Sequence, residues 1–430
     1  MTTPMASAGR CPSASVGGSP HSADFPLGAA VTVADLEEDP HPVLARLRGH
    51  EPVSWLPALD GWLVTRHDLA VEVMRDAPTF TVDDPRFSTA QVIGPSMLSL
   101  DGPDHARHRG PFTEPFYPTR VEERFAAFVE QEAERLVAAI RPRGRADLRA
   151  DLAGPLAVAV VARSLGVSGA DAATVLGWYA AIVGAVSDIT AGRPPRADAA
   201  TAFGALGETV RASTPDWGAA DSGAADSGSA DPGDGGEALS LLADAAAHST
   251  LTAAEIVSNA AVLMFGGIET TDAMIANALF HLLSDPDQFE LVHTGRALVA
   301  DAVEESLRLE PAASVVDRYA TRDVELGGAA IRGGELVRVS LAGANRDPAV
   351  FADPDRFDLR RANARKQLAF ARGPHFCPGA HLARMEARVA ISTLIERLPG
   401  LRLESSPGGS AAPRGLVFRK SPELYVLWDA

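Results

Sequence analysis

The sequence predicts a mainly α fold with small β-sheets. Apolar residues follow helical spacing over residues 151–213 and again in one long segment, 252–283. Strand-like runs are short, as in GWLVTR (61–66), and those of the last third of the chain (319–347 and 400–428) are separated by glycine turns. Helices therefore carry most of the chain, and the sheets are minor.

The composition is that of a globular protein with a large core, with 46% hydrophobic and 22% charged residues. A net charge of −17 disfavours nucleic-acid binding, because phosphate contacts need a positive face. No segment has the uninterrupted apolar length of a membrane span or a secretion signal. The two cysteines, Cys11 and Cys377, lie far apart, which disfavours a disulfide framework. These features predict a cytoplasmic protein without a membrane anchor.

The chain is predicted to form one domain, residues 25–430, after a disordered leader of residues 1–24. Within the domain, residues 214–237 are small, acidic and nearly free of large apolar side chains. Burial in such a segment cannot offset the entropy lost on ordering it. We therefore expect a surface loop there.

The long segment 252–283 is predicted to be a buried central helix. Thr252 with Glu255 three residues later forms a capping-box pattern, and the helix that follows is apolar on nearly every face. The run GGIETT (266–271) interrupts it. Two glycines inside a helix cost about 1 kcal/mol each, and a ligand close to the backbone would compensate for that cost.

The segment FARGPHFCPGAHLAR (370–384) places Cys377 between Gly373 and Gly379, just before an apolar helix. The glycines let backbone amides approach the sulfur, and a helix N-terminus favours a thiolate. Two alternatives remain from the residues alone. Cys377 is a small buried side chain, or it is a nucleophile with His375 as its base.

Two further pairs suggest ionic contacts. In helix 298–309, Glu305 is the only charge on an apolar stripe, and Arg308 can pair with it. An exposed intrahelical pair worth a few tenths of a kcal/mol is the alternative. In LSLDGPDHARHRGPF (98–112), His105 and Arg109 share one helix face, which suits carboxylates rather than a metal because arginine is not a metal ligand.

The pattern F-x-x-G-x-H-x-C-x-G, formed by Phe370, Gly373, His375, Cys377 and Gly379, resembles the haem-binding signature of the cytochrome P450 family. The other three motifs stand in that family's order, and the resemblance runs from Val31 to the C-terminus. It implies a P450 fold with one haem b between the central helix and the cysteine loop, ligated by Cys377. Ala371 departs from the glycine that the family often has there.

The resemblance also implies a role for each motif. The haem propionates would bind His105, Arg109, Arg318 and His375, while Phe370, Gly379 and Gly267 would also contact the cofactor. Arg356 would complete a structural network with Glu305 and Arg308. On the oxygen side, Thr270 would donate a hydrogen bond and order a water, and Glu269 would relay protons from solvent. The substrate pocket would be lined by Met97, Phe265, Ile268, Val315, Val316 and Val417.

The implied activity is insertion of one oxygen atom from O2 into an apolar small organic substrate, or oxidative coupling of it, in secondary metabolism. Electrons would come from a ferredoxin and its reductase, since no redox module is appended to this sequence. We expect a monomer that meets the ferredoxin at a proximal face carrying the cations Arg107, His108, Arg365, Lys366, Arg372 and Arg384. A solvated face without a partner is the alternative for these cations. The alternatives to the whole activity are a peroxygenase using H2O2 and a haem or ligand-binding protein without turnover.

Overall fold

The computed structural model describes residues 20–166, 172–190, 192–212, 241–404 and 411–429. The predicted loop 214–237 and residues 1–19 lie outside these ranges. Residues Pro20–Ala23 form one turn of 3-10 helix, and the His21 imidazole lies 2.9 Å from Glu335 Oε1 and against the rings of Trp55 and Trp62. The predicted disordered leader of residues 1–24 is therefore wrong for its last residues, because these ring and ion contacts anchor them.

Helices make up most of the described chain. In chain order they are α1 (Pro26–Ala29), α2 (Val33–Glu37), α3 (His41–His50), α4 (His67–Arg75), α5 (Ser88–Ile93), α6 (Gly102–Arg109), α7 (Pro118–Ile140), α8 (Gly154–Leu165), α9 (Ala172–Thr190), α10 (Asp198–Ala212), α11 (Leu241–His248), α12 (Ala253–Ser284), α13 (Pro286–Thr294), α14 (Val299–Leu309), α15 (Leu341–Ala344) and α16 (Ala380–Arg397).

The strands are short. They are β1 (Val53–Leu56), β2 (Gly61–Val64), β3 (Phe80–Thr81), β4 (Arg145–Asp147), β5 (Val315–Ala320), β6 (Val324–Leu326), β7 (Ala329–Ile331), β8 (Leu336–Ser340), β9 (Arg402–Leu403) and β10 (Tyr425–Leu427). The largest sheet has the order β1-β2-β8-β5-β3, in which only β2 and β8 run parallel. A second sheet has the order β4-β10-β9, and β6 pairs with β7. The prediction of a mainly α fold with small sheets is confirmed.

Helix α12 is the axis of the molecule. Thr252 and Glu255 form the predicted capping box, since each side chain accepts a hydrogen bond from the other residue's backbone N–H. The helix packs against α8, α14 and α16, and most of its residues are buried. Its apolar surface on all sides is explained by these neighbours. Within the described ranges, no helix has the length and apolarity that crossing a bilayer would require.

Candidate active site

A cavity of about 330 Å³ lies between α12 and the loop that carries Cys377. Most of the residues that line it are apolar, and they include five that the sequence predicted: Met97, Phe265, Val315, Val316 and Val417. The predicted Ile268 is buried but does not line the cavity. Phe265 and Thr271 do line it, and each is three residues from Ile268, which is about 60° around the helix. Ile268 is therefore on the same side of α12 as these two lining residues, and its role in the pocket stays a prediction.

The backbone of the cysteine loop is bent tightly at two positions. Gly373 has φ +76°, and a Cβ there would lie 2.5 Å from the carbonyl oxygen of Met74. Ala371 has φ +58°, a left-handed conformation that is strained for a residue with a Cβ. The Cys377 amide donates to the Phe370 carbonyl at 2.9 Å, which closes the loop. The loop thus delivers the thiol to the cavity just before α16 begins.

Burial raises the pKa of the Cys377 thiol, and the Gly379 N–H with the positive charges of Arg109 and Arg384 opposes that rise. A Cβ at Gly379 would lie 4.0 Å from the sulfur. The neutral thiol is therefore favoured in the protein alone. A metal ion would change this balance, because a coordinating thiol is deprotonated. This chemistry suits a ligand better than a nucleophile, whose base would have to be the nearby His375. That imidazole Nε2 instead lies 2.9 Å from Asp101 Oδ1.

Four side chains that the resemblance assigned to the haem propionates lie close together at one edge of the cavity. The rings of His105 and His375 are 4.4 Å apart, and Arg109, Arg318 and His375 line the cavity itself. Arg318 is buried, and its guanidinium donates to the Asp317 carbonyl. The Nε2 atom of His105 is buried without a hydrogen-bond partner among the described residues. The structure thus brings together the pair His105 and Arg109, which spacing had grouped, with Arg318 and His375, which only the resemblance had added.

This cluster lacks sufficient negative charge. Burial, with the positive charges of His375 and Arg109, lowers the pKa of His105 to about 4. Burial also lowers the pKa of Arg318 to about 10. Asp101 is an anion that contacts the cluster through His375, and Asp317 also acts on Arg318 but is paired with Arg338. Burial alone would raise the pKa of the Asp101 carboxyl, but hydrogen bonds from His375, Thr81 and the Val82 amide outweigh burial and lower it. An additional anion at this edge would compensate the buried guanidinium charges of Arg109 and Arg318.

These features fit a haem. Its two propionates would supply the missing anions, and Cys377 would supply one iron ligand. Among the described residues, no group of three or more His, Cys, Asp or Glu side chains converges as a metal site. Cys377 would therefore hold the iron as part of a prosthetic group, and His105, Arg109, Arg318 and His375 would hold the propionates of that group.

The two glycines inside α12 are explained by different surroundings. A Cβ at Gly267 would lie 2.5 Å from Cγ2 of Val161 on α8, so this glycine permits close helix packing. A Cβ at Gly266 would meet nothing within 4 Å, and this residue is exposed to the cavity. Gly267 was the predicted cofactor contact. It does line the cavity, but its missing side chain is explained by Val161.

The acid and alcohol of α12 point to different places. Thr270 lines the cavity, and its hydroxyl donates to the Gly266 carbonyl one turn earlier. Glu269 is buried outside the cavity lining, and its Oε1 atom lies 2.6 Å from Nζ of Lys420. The hydroxyl is therefore available to a cavity occupant after a rotation, whereas the carboxylate is held in an ion pair behind the wall.

The buried pair of α14 forms as predicted, but its third partner differs. Glu305 and Arg308 are both fully buried, and they share two hydrogen bonds of 2.8 Å. The second cation is Arg361, whose Nε lies 2.9 Å from Glu305 Oε1. Arg356, the predicted member, has an exposed side chain and offers only its carbonyl to Arg308 and Arg361. The prediction of Arg356 is therefore wrong, because the chain turns after it and presents the later arginine.

The predicted proximal cations divide into two groups. Three are engaged or buried: Arg107 pairs with Glu255, His108 is buried, and Arg384 pairs with Glu304. Arg365 and Lys366 are exposed, and no ion pair to either is found in the described parts of the chain. Arg372 donates to the Gln367 carbonyl, and burial together with the positive charges of Arg75 and Arg384 lowers its pKa. The free positive charge at this face is thus smaller than the sequence suggested, although Arg75 adds to it.

Four site residues were not predicted from the sequence: Asp101, Arg361, Glu386 and Lys420. Glu386 lines the cavity from α16, burial raises its pKa well above the usual range, and its Oε2 atom has no hydrogen-bond partner in the described structure. Asp101 was adjacent to a recognised motif, and its place as N-cap of α6 could have drawn attention. One feature of the sequence could have pointed to Lys420, namely that it is one of only two lysines in the chain.

Comparison with known proteins agrees with this geometry. A family model described as cytochrome P450 matches residues 234–409. The chain is 37% identical to the cytochrome P450 monooxygenase PikC of Streptomyces venezuelae, with 92% of each chain covered. It is 34% identical to the nocardicin C N-oxygenase of Nocardia uniformis subsp. tsuyamanensis, covering 94% of this chain and 98% of the relative. The crystal structure of P450BioI in complex with hexadec-9Z-enoic acid ligated acyl carrier protein is similar with a TM-score of 0.79 at 27% identity, covering 92% of this chain and 100% of that one.

Proposed function

Because the chain belongs to the cytochrome P450 family of monooxygenases, we propose that it inserts one oxygen atom from O2 into an apolar small organic substrate, or couples such a substrate oxidatively. The observation that carries this proposal is one cavity lined by the Cys377 thiol, by the Thr270 hydroxyl and by mainly apolar walls. An apolar substrate gains from burial against these walls.

One haem b per chain is the proposed cofactor. Cys377 would ligate its iron, and His105, Arg109, Arg318 and His375 would hold its propionates. Bound there, a thiolate-ligated haem supplies the chemistry of O2 activation. Arg109 already donates to the Phe376 carbonyl at 2.5 Å, so it would tie the propionate edge to the cysteine loop.

Two residues of α12 are proposed to manage protons. Thr270 would turn its hydroxyl from the Gly266 carbonyl toward the cavity and there donate a hydrogen bond and order a water. Glu269 would carry protons from the solvent side, because its carboxylate lies one residue from Thr270 and is buried in a polar cluster. A peroxygenase would not need this pair, which favours the O2-dependent reaction.

The substrate is proposed to be a product of secondary metabolism. This rests on the likeness to PikC and to a nocardicin C N-oxygenase, together with the apolar lining of the cavity. The polar residues Ser88 and Thr89 also line the cavity. They would suit a substrate with a few polar atoms on an apolar frame.

Electrons are proposed to come from a ferredoxin and its reductase. An acidic ferredoxin would dock on the exposed cations near the cysteine loop, Arg75, Arg365 and Lys366. The Cys377 thiol must stay reduced to ligate iron, which favours a reducing compartment such as the cytoplasm.

The decisive experiment combines spectroscopy with isotope labelling. The haem-loaded protein should show a thiolate-type Soret band when reduced under CO, and Cys377→Ser should abolish that band while Cys11→Ser keeps it. With a ferredoxin, its reductase, NADPH and 18O2, substrate candidates that shift the haem spectrum should yield products carrying one 18O atom. Product formed only with H2O2 would favour the peroxygenase. Spectral binding without NADPH consumption or product across a broad library would favour a binding protein.

A further inference from the structure

A buried ion cluster joins α12 to the C-terminal segment behind the cavity wall. Lys420 Nζ lies 2.6 Å from Glu269 Oε1 and 3.2 Å from Asp272 Oδ2. Arg149 Nε donates to the same Asp272 oxygen at 3.0 Å. The side chains of Glu269 and Asp272 are only 6% and 7% exposed, and that of Lys420 is 17% exposed. Two cations thus balance two carboxylates, and Lys420 is the cation that contacts both of them.

The backbone around Lys420 is fixed by the residue before it. Arg419 is buried, and its Nε donates to Glu310 Oε1 at 2.6 Å. Its Nη2 donates to the Pro413 carbonyl at 2.7 Å. Lys420 and Arg414 also exchange two main-chain hydrogen bonds, of 3.0 and 3.1 Å. The ammonium group is therefore presented to α12 from an anchored segment.

The same two segments also meet at the cavity. The rings of Phe265 and Phe418 both line it, and they contact each other edge to face with centroids 5.3 Å apart. Phe265 precedes Glu269 by four residues and so lies on the same side of α12, while Phe418 precedes Lys420 by two. An occupant that presses on the two rings therefore acts on both elements that form the ion pair.

We propose that Lys420 is a positioning residue for Glu269, and that an apolar occupant against Phe265 and Phe418 controls the contact between the two side chains. This inference rests on the proposed role of Glu269 in proton delivery. With the contact closed, the carboxylate is ionised and turned away from the cavity. With it open, the carboxylate takes a proton from the solvent side, passes it toward Thr270 and returns to the ionised form, while Lys420 keeps its own protons.

The use of lysine here fits this role. The chain has 39 basic residues, of which Lys366 and Lys420 are the only lysines. An ammonium group is compact and rotates freely among its acceptors, so it can be shared by two carboxylates and released. An arginine would hold one carboxylate in a planar two-bond contact instead.

Two lysines also make the contact directly measurable. The haem-loaded protein would be acetylated with an N-hydroxysuccinimide ester, and peptide mass spectrometry would give the rate at Lys420 relative to the exposed Lys366. We expect Glu269→Gln to raise that ratio by about threefold, the effect of losing one partly exposed ion pair. Glu404→Gln, which removes a carboxylate from a surface pair with Arg145, should leave the ratio unchanged. Filling the cavity with 4-phenylimidazole should change the ratio in the parent but not in Glu269→Gln. A ratio insensitive to both Glu269→Gln and the occupant would overturn the proposal.

Turnover measurements test whether the contact between Lys420 and Glu269 matters for proton delivery. Lys420→Met should lower kcat by about tenfold, a part of what a positioned acid contributes, with KM unchanged and a larger solvent deuterium isotope effect. Lys420→Arg should restore part of kcat. The matched control is Arg414→Met, an exposed cation of the same segment, which should match the parent.

Different results would overturn the monooxygenase function and the role of Lys420. If Glu269→Gln slows turnover but Lys420→Met changes neither kcat nor the isotope effect, Lys420 does not position Glu269 and the monooxygenase function stands. If no 18O-labelled product forms with any variant, the proposed function fails. The turnover consequence then falls with it, while the acetylation ratio still decides whether the contact exists.

Discussion

Replacing Arg361 by methionine should destabilise the protein, whereas the same change at Arg356 should not. Arg361 is 7% exposed at its side chain and donates to Glu305 at 2.9 and 3.1 Å. It also donates to the carbonyls of residues 352, 353 and 356 at 2.5, 3.0 and 3.1 Å. Methionine keeps the apolar stem of the side chain and removes all of these bonds.

The size of the stability loss depends on the contacts that Glu305 keeps after the change. Breaking a buried ion pair outright costs about 3–5 kcal/mol, but Glu305 keeps Arg308 after this change. Hydrogen bonds to charged groups contribute about 1.5–3 kcal/mol. We therefore expect a loss of about 3 kcal/mol in the free energy of unfolding. At about 2.1 cal/mol/K per residue, the unfolding entropy of 430 residues is about 0.9 kcal/mol/K, so Tm should fall by about 3 °C.

Thermal unfolding of the haem-loaded protein, followed by circular dichroism and by loss of the Soret band at one scan rate, measures this shift. Arg356→Met should change the free energy by no more than about 0.5 kcal/mol, the usual range for an exposed site. If both variants lowered Tm equally, or if Arg361→Met unfolded at the same temperature as the parent, Arg361 would not be the stabilising partner of Glu305.

Three further changes probe the site. Since the pKa of His105 is lowered from 6.5 to about 4, its contribution to the stability of the haem-free protein is complete above 6.5 and is lost as pH falls toward 4. Denaturant unfolding should show that the free energy of unfolding falls by at most about 3 kcal/mol over that pH window, and His105→Gln should remove this pH dependence. Equal pH dependence of stability in the parent and in His105→Gln would contradict this. Thr270→Ala should retain haem but divert reducing equivalents to peroxide, as measured by the ratio of product to NADPH consumed. The control is Thr393→Ala, because the Thr393 hydroxyl makes the same bond to a carbonyl four residues earlier on α16; this variant should keep the parent's ratio. If Thr270→Ala also kept the parent's ratio, Thr270 would have no part in proton delivery. Gly373→Ala should prevent stable haem binding, because the new Cβ would meet backbone atoms at a residue whose φ is positive. A Cβ at Gly110 has free space, so Gly110→Ala should bind haem as the parent does. Titration with haem would distinguish the two variants.

The architecture was predictable because its signals are local. The capping box at Thr252 and Glu255 and the glycines around Cys377 act within a few residues, so their spacing alone specifies the local structure. The Glu305 and Arg308 pair is one helical turn apart for the same reason. Their roles relative to a haem came from resemblance rather than from spacing.

The partners across the fold were not predictable in this way. Nothing in the spacing of the chain separates Arg361 from Arg356, because the choice depends on how the segment 353–361 turns over α14. Which residues of α12 line the cavity was not predictable from spacing either, since a helix buried on all sides gives no periodic signal for which side faces a cavity.

The sequence by itself determined the fold class, the central helix and the glycine-bracketed loop around Cys377, because short-range spacing encodes them. Only the tertiary structure decided where the charges of the site are compensated. Glu269 meets Lys420 and His375 meets Asp101 across long stretches of chain, and Glu386 is buried without a compensating partner in the described residues. The energy of a buried charge depends on every group packed around it, and that set of neighbours exists only once the chain has folded.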